Sequence, residues 1–425
     1  MKGNLKTATN EQLTARLQEL KGRYEEYKAQ DLRLDMSRGK PGAEQLDLSL
    51  PMLESLTSKD MYLTETGFDT RNYGLLDGIP EAKVLFAELL GVEPDNVIVG
   101  GNSSLNMMFD YIATAYTKGV CGHEPWSHQG AVKFLCPSPG YDRHFAVTQY
   151  FGIEMLPVPM TENGPDMDQI EELVKDPLVK GVWCVPMYSN PDGITSSDDT
   201  VRRFAALKPA APDFRVMWDN AYCVHHLGEE QDTLLNIFEE AHREGTEDLF
   251  VEFTSTSKIS FPGAGVAVLA ASVRNIADIK SRMTVQTIGH DKLNMLRHVR
   301  YFKTADGIRE YMKRHAAVLS PRFELVLSIL EEELGGRGIA QWHKPRGGYF
   351  ISVNVNEGCA KRTVKLLADA GVVLTGAGAT YPYGQDPLDS NIRLAPSFPP
   401  LSELQTATEL FCICAEIAAI EAQLG

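Results

Sequence analysis

The chain has 425 residues, 43% of them hydrophobic and 23% charged, an ordinary composition for a globular protein with a sizeable core. At roughly 150 residues per domain, it makes two or three domains. Its 57 acidic against 41 basic side chains give a formal charge of −16, which repels phosphate backbones and anionic membranes and argues against nucleic-acid or lipid partners.

"MKGNLKTATNEQLTARLQEL" at the N-terminus lacks the apolar stretch of a signal peptide, and no apolar run approaches the ~20 residues that cross a bilayer. Seven scattered cysteines include no C-x-x-C pair, so they read as reduced thiols rather than disulfides or a zinc site. A soluble, cytoplasmic protein is expected. Leu13, Leu17, Leu20 and Tyr24 then recur at helical spacing and predict an amphipathic helix within residues 10–30. "DMSRGKPGAEQLDLS" follows, rich in turn formers and extended.

From about residue 78, helices alternate with short apolar strands. "PEAKVLFAELLGV" reads as a helix, "NVIVGG" as a strand and "NSSLNMMFDYIATAY" as a helix. The stretches "AVKFLCPSP", "GIEMLPVPM", "VKGVWCVPMY", "FRVMWDNAYC", "DLFVEFTSTSK" and "GAGVAVLAAS" read as further strands. Such alternation predicts βαβ units and a mainly parallel sheet buried on both faces. "CGHEPWSHQG" is read as a surface loop, because its histidines have no metal-ligand spacing. Near residue 285 the strands stop and a long helical stretch leads to a second domain. "GGYFISVNV", "GVVLTGAGA" and "SNIRLAPS" supply its strands, and "ELQTATELFCICAEIAAIEAQL" its closing helix.

Four stretches carry candidate chemistry. In "VIVGGNSSLNM" a strand meets two glycines and an Asn-Ser-Ser cap. Free amides at the start of the next helix suit a phosphate, although an ordinary capped joint has the same pattern. "SNPDG" is a turn directly after a strand, where open α/β sheets bind ligands. Asp219 and Tyr222 in "VMWDNAY" end another strand. A buried acid there needs a cation, which a protonated pyridine nitrogen would supply, or else it caps a helix. Finally, "FTSTSKISFPGAG" surrounds Lys258 with hydroxyls and turn formers and offers no acid after Glu252, a setting for a reactive amine beside an anion.

The order of these motifs resembles fold type I aminotransferases, which use pyridoxal 5′-phosphate (PLP). The likeness runs from "RGKP" to "NIRLAPS", and "SRGKPGAEQLDLS" and "IGHDKLNMLRHVRYF" look most like a divergent bacterial group of aspartate aminotransferases. It implies an α/β fold with a large PLP-binding domain over residues 51–295. A small α+β domain would be built from both chain ends, 1–50 and 296–425. It also implies ping-pong amino transfer, favouring aspartate and 2-oxoglutarate, in a homodimer with active sites at the interface. Two alternatives are another PLP reaction, such as β-decarboxylation or C–S lysis, and a non-catalytic sensor module.

Carried over residue by residue, the resemblance makes Lys258 the lysine that bonds the cofactor and shuttles the α-proton. Asp219 would pair the pyridine nitrogen. Asn190 and Tyr222 would bond the ring's phenolic oxygen, and Tyr141 would stack on its face. Gly101, Asn102, Ser103 and Ser255 would hold the phosphate. Tyr73 in "RNYGLLDGIP" would reach the partner's phosphate, or else is a packed loop tyrosine. Arg393 would take the substrate's α-carboxylate, with Gly39 lining the same pocket. Arg38, Arg143, Lys292 and Arg297 are the candidates for a distal carboxylate. One departure stands out: Gly265 falls where most relatives carry a phosphate-binding arginine.

Overall fold

The computed structural model describes residues 4–425. Its largest sheet has eight strands: β1 (Val97–Val99), β2 (Lys133–Ser138), β3 (Glu154–Thr161), β4 (Gly164–Pro165), β5 (Val179–Cys184), β6 (Arg215–Asp219), β7 (Phe250–Ser255) and β8 (Ala267–Ala271). In space they run β1-β8-β7-β6-β5-β2-β3-β4. The five strands β3, β2, β5, β6 and β7 pair in parallel. Strands β5, β6 and β8 are buried at every residue, which is why they read as unbroken apolar runs rather than alternating ones.

β8 is antiparallel to both β7 and β1. No crossover helix separates β7 from β8; the chain turns back through residues 256–266, and a strand returning so directly must run antiparallel. Thr256 closes that turn, its amide donating to Val266 O at 2.8 Å and its Oγ1 accepting from Val266 N at 2.9 Å.

Six helices frame the site and the core that supports it: α1 (Asn10–Lys28), α2 (Ser104–Lys118), α3 (Asp142–Tyr150), α4 (Lys292–Phe302), α5 (Ala305–Leu334) and α6 (Leu401–Leu424). Thr9 and Gln12 cap the start of α1 reciprocally. A second, antiparallel sheet contains β9 (Ala340–Trp342), β10 (Ile351–Val355) and β11 (Asn391–Leu394). The expected strand in "GVVLTGAGA" shrinks to Val372–Val373, which pairs in parallel with Leu34–Asp35 and so ties the N-terminal segment to the far end of the chain.

One apolar core joins the two chain ends, bringing Leu13, Leu20 and Met36 against Phe323, Leu330, Val353 and the buried side of α6. Separate cores fill the two faces of the large sheet. The expected boundary at residues 295/296 falls inside α4. Met295, Phe302, Ile308 and Met312 pack with Val97 and Val268 on the large sheet, so the chain changes core later, within α5 between Met312 and Phe323. A continuous helix hides that handover from sequence, since its apolar periodicity is uninterrupted. No helix among the described residues is long and apolar enough to cross a membrane.

Candidate active site

The parallel strands end around a cavity of about 490 Å³. Its lining includes Asp219 from the end of β6, Asn190 from the loop after β5, and Ser255 and Lys258 from the end of β7 and its turn. Arg393 enters from β11, and Ser37, Arg38 and Gly39 from the N-terminal segment. The cavity therefore sits where open parallel sheets bind ligands, closed by residues from both chain ends.

Asp219 is 3% exposed. Its Oδ2 lies 2.9 Å from His144 Nε2, while its Oδ1 has no partner among the described residues. His144 is fixed in turn by stacking on Trp183, with ring centroids 4.3 Å apart and planes 7° apart. A buried carboxylate oxygen without a donor is costly unless a ligand supplies one.

Lys258 makes no ion pair among the described residues. Its Nζ sits 4.9 Å from the Tyr222 ring centroid and 5.7 Å from that of Tyr349. Loss of solvent pulls its pKa below the usual lysine value, with the charge of Asp219 opposing the shift. The surrounding hydroxyls divide their work. Ser255 Oγ and Ser257 Oγ are 3.1 Å apart and line the cavity, whereas buried Thr256 and Ser260 hold the turn together. Ser260 Oγ also lies 2.8 Å from His298 Nε2. Burial pushes the phenols of Tyr141 (to about 12) and Tyr222 upward, keeping both protonated donors.

Arg393 Nη1 donates to Asn190 Oδ1 at 3.0 Å and to Asp142 Oδ1 at 3.1 Å, and Nη2 donates to Thr375 Oγ1 at 3.0 Å. Its Nε is buried without a partner among the described residues, and its guanidinium lies 4.7 Å from the Phe350 ring centroid. With Asn190 Oδ1 so engaged, its Nδ2 is left to donate elsewhere. A Cβ on Gly39 would come within 2.3 Å of Phe350, so only glycine lets the N-terminal segment pass this close.

Most of the residues singled out in the sequence thus meet at one cavity: Lys258, Asp219, Tyr222, Tyr141, Asn190, Ser103, Ser255, Gly39 and Arg393. Gly101 and Asn102 do not line it; they face an adjoining cavity of about 270 Å³. Ser103 caps α2, so the amides of its first turn belong to the residues that follow, and Ser104 and Leu105 replace the two expected residues in the lining. Tyr73 lies outside the lining and is 76% exposed in the single chain. At Gly265 a Cβ would meet Thr256 Oγ1 at 2.9 Å and Phe261 O at 3.1 Å, so the tight turn leaves no room for an arginine there. His144, Asp142 and Thr375 escaped sequence reading. His144 stands three residues after Tyr141, a helical spacing that was the one available signal.

The site has the features a PLP pocket requires: an unpartnered buried carboxylate oxygen, an unpaired lysine, and serines at a helix N-terminus. No group of three His, Cys, Asp or Glu side chains is placed to hold a metal among the described residues.

A family model described as aspartate amino-transferase matches residues 8–425. A Corynebacterium glutamicum protein named aspartate aminotransferase is 47% identical over 405 residues, covering 95% of this chain and 94% of that one. The crystal structure of an aspartate transaminase from C. glutamicum superposes with a TM-score of 0.96 at 46% identity, covering 99% of this chain and 100% of that one. The α-aminoadipate aminotransferase of Thermus thermophilus, complexed with N-(5′-phosphopyridoxyl)-L-leucine, shares the fold with a TM-score of 0.75 at 19% identity, covering 92% and 93% of the two chains.

Proposed function

Because the chain belongs to the aspartate amino-transferase family, we propose that it binds PLP and moves an amino group from aspartate to 2-oxoglutarate by a ping-pong mechanism. The observation that carries this reading is the pair formed by Asp219 and Lys258, a carboxylate oxygen without a donor and a lysine without an acid, on one cavity. When bound, PLP supplies the electron-accepting ring that carries the amino group between half-reactions.

The side chains then have separate tasks. Lys258 bonds the cofactor and, with its lowered pKa, takes and returns the substrate α-proton. Asp219, oriented by His144, keeps a proton on the ring nitrogen. Asn190 Nδ2 and the Tyr222 hydroxyl, both on the lining, would donate to the phenolic oxygen, and Tyr141 would cover the ring. Ser103, Ser104, Ser255 and Ser257, with the first amides of α2, would hold the phosphate in place of the absent arginine. Arg393 takes the α-carboxylate, with Gly39 beside it.

The same reading makes the enzyme a cytoplasmic homodimer in which exposed Tyr73 completes the partner's phosphate site. Mixing inactive Lys258→Ala and Tyr73→Ala chains should then restore activity through heterodimers with one intact site. A fully active monomer rejects sharing. The primary test is borohydride reduction of the yellow protein followed by peptide mapping, with each half-reaction then followed by cofactor absorbance across a panel of amino donors. The cofactor should be fixed to Lys258, and aspartate should be the best donor. Labelling at another lysine, or preference for a non-acidic donor, rejects the assignment.

A further inference from the structure

Neighbouring residues of a strand point to opposite faces of its sheet. At the end of β6, Asp219 lines the candidate active site, and Trp218 lines a separate cavity of about 420 Å³. Glu252 on β7 stands in register with Trp218 and shares that second cavity. The two cavities have no lining residue in common. The second is bounded by the end of the helix Pro80–Leu90, by residues 231–237 and by Arg309 of α5, with Leu90, Met187, Trp218 and Leu235 as apolar walls.

Two buried acceptors line it. Glu252 is 3% exposed and Asn220 8%. Asn220 Nδ2 donates to Glu252 Oε1 at 2.8 Å, which leaves Asn220 Oδ1 without a partner among the described residues. Desolvation and that one hydrogen bond are what act on the Glu252 carboxyl, and they leave it pushed up to about 7. Toward the exposed side the lining adds two further acids, Glu88 and Asp232, against the arginine Arg309. Arg309 donates to Asp306 Oδ1 at 2.7 Å, and Arg346 reaches Asp232 at 3.4 Å, so neither is spent on Glu252. A buried carboxyl without a cation and an amide oxygen without a donor are both costly unless a ligand brings N–H groups to them. No three His, Cys, Asp or Glu side chains among the described residues are grouped to hold a metal, so the donors must come from an organic ion.

We propose that this second cavity binds an organic monocation, an alkylguanidinium or alkylammonium, whose N–H groups donate to Glu252 and to Asn220 Oδ1 while its apolar part rests on Met187, Trp218 and Leu235. Asn220 and Cys223, both on the lining, directly follow Asp219 and Tyr222, so an occupant touches the far side of the turn that carries those two residues. The assignment stands apart from the reaction proposed for the Lys258 cavity.

The test is calorimetric titration of the purified protein, cofactor included, with butylguanidine, which, unlike an amine, does not condense with an aldehyde cofactor. Wild type should bind one equivalent. Glu252→Gln, which keeps the side chain's shape and removes its charge, should weaken binding at least tenfold, and Asn220→Ala at least threefold. Tetramethylammonium, a cation without N–H groups, should bind at least tenfold more weakly than butylguanidine. Between pH 6 and pH 8 wild-type affinity should rise about tenfold as Glu252 ionises, and affinity in Glu252→Gln should stay level. The neighbouring Cys223 and His226 are both held toward their neutral forms by burial. Melting curves and cofactor absorbance verify that each variant is folded and loaded. Failure of butylguanidine to bind the wild type at millimolar concentration would overturn the proposal, as would equal affinity in Glu252→Gln. Tetramethylammonium binding as tightly as butylguanidine would overturn it too.

Discussion

The two-ended core and the large-sheet region treat buried polar groups in opposite ways. In the two-ended core, Glu416 is 2% exposed yet fully engaged: it accepts from Arg16 Nε at 2.9 Å, Arg16 Nη2 at 2.8 Å and Arg337 Nη1 at 2.7 Å. Apart from Arg393, every buried side-chain nitrogen or oxygen lacking a partner among the described residues lies between Glu81 and His315. Two such atoms, Asp219 Oδ1 and Arg393 Nε, belong to residues lining the candidate site. For those two atoms, the contrast is between polar groups that hold the chain together and polar groups open to a ligand. A satisfied network contributes to the fold alone, whereas an unsatisfied one is tolerated where binding repays it.

Asp219→Ala is the strongest test of that distinction. Loss of the ring-nitrogen partner should lower kcat by about four orders of magnitude, roughly 5.5 kcal/mol of barrier, and weaken PLP binding. The cofactor-free variant should melt within a few degrees of cofactor-free wild type, because removing the unpaired Oδ1 offsets the lost contact between Oδ2 and His144. A large drop in its Tm would erase the contrast between regions.

Glu416→Gln should do the reverse. Leaving two buried guanidinium groups without their carboxylate should cost roughly 3–5 kcal/mol in denaturant unfolding, with kcat per folded, PLP-loaded molecule unchanged. Reduced turnover without reduced stability would show that the two-ended core also serves the site.

Arg393→Lys comes next. The protein should keep its PLP but lose about two orders of magnitude in kcat/KM, because a point charge cannot replace the fork. The loss should be alike for aspartate, glutamate and any neutral donor. A loss confined to dicarboxylates would mean that Arg393 reads the distal end.

The smallest effect is expected within β7, where Glu252 is buried and accepts from Asn220 Nδ2 at 2.8 Å. Desolvation raises its pKa to about 7, against 4.5 for a free glutamate. The folded chain thus binds the extra proton between those values. Its stabilising contribution is complete below about pH 4.5 and is lost as pH rises through about 7. Glu252→Gln should therefore raise stability by roughly 1–2 kcal/mol at pH 8, a few degrees in Tm, and by little at pH 4.5. An advantage at both pH values would trace the gain to packing instead.

The parallel strands were legible because burial on both faces demands continuous apolar runs, and "VKGVWC" and "RVMWD" meet that demand. The meeting of Lys258, Asp219 and Asn190 on one cavity was legible because strand ends followed by turns are where such sheets bind ligands. The reversal of β8 was not, since direction is set by the length and closure of the turn that Thr256 pins. Nor was the pairing of His144 with Asp219, two residues 75 positions apart that meet only when the sheet assembles. Gly101 and Asn102 stand outside the main lining for a local reason. A cap at Ser103 rather than Asn102 shifts the first helical amides by one residue and turns the preceding backbone toward the neighbouring cavity.

Asp142 gives the site a further property. By donating to Asp142 Oδ1, Arg393 already has a carboxylate partner before any substrate arrives. On the proposed role of Arg393, an incoming carboxylate would exchange places with an internal one instead of stripping water from a bare cation. Exchange lowers the desolvation cost of entry, and it returns the same help on departure because Asp142 can reclaim the guanidinium. A site built this way trades tightness for turnover, as a ping-pong enzyme must when each product has to leave before the next substrate can bind.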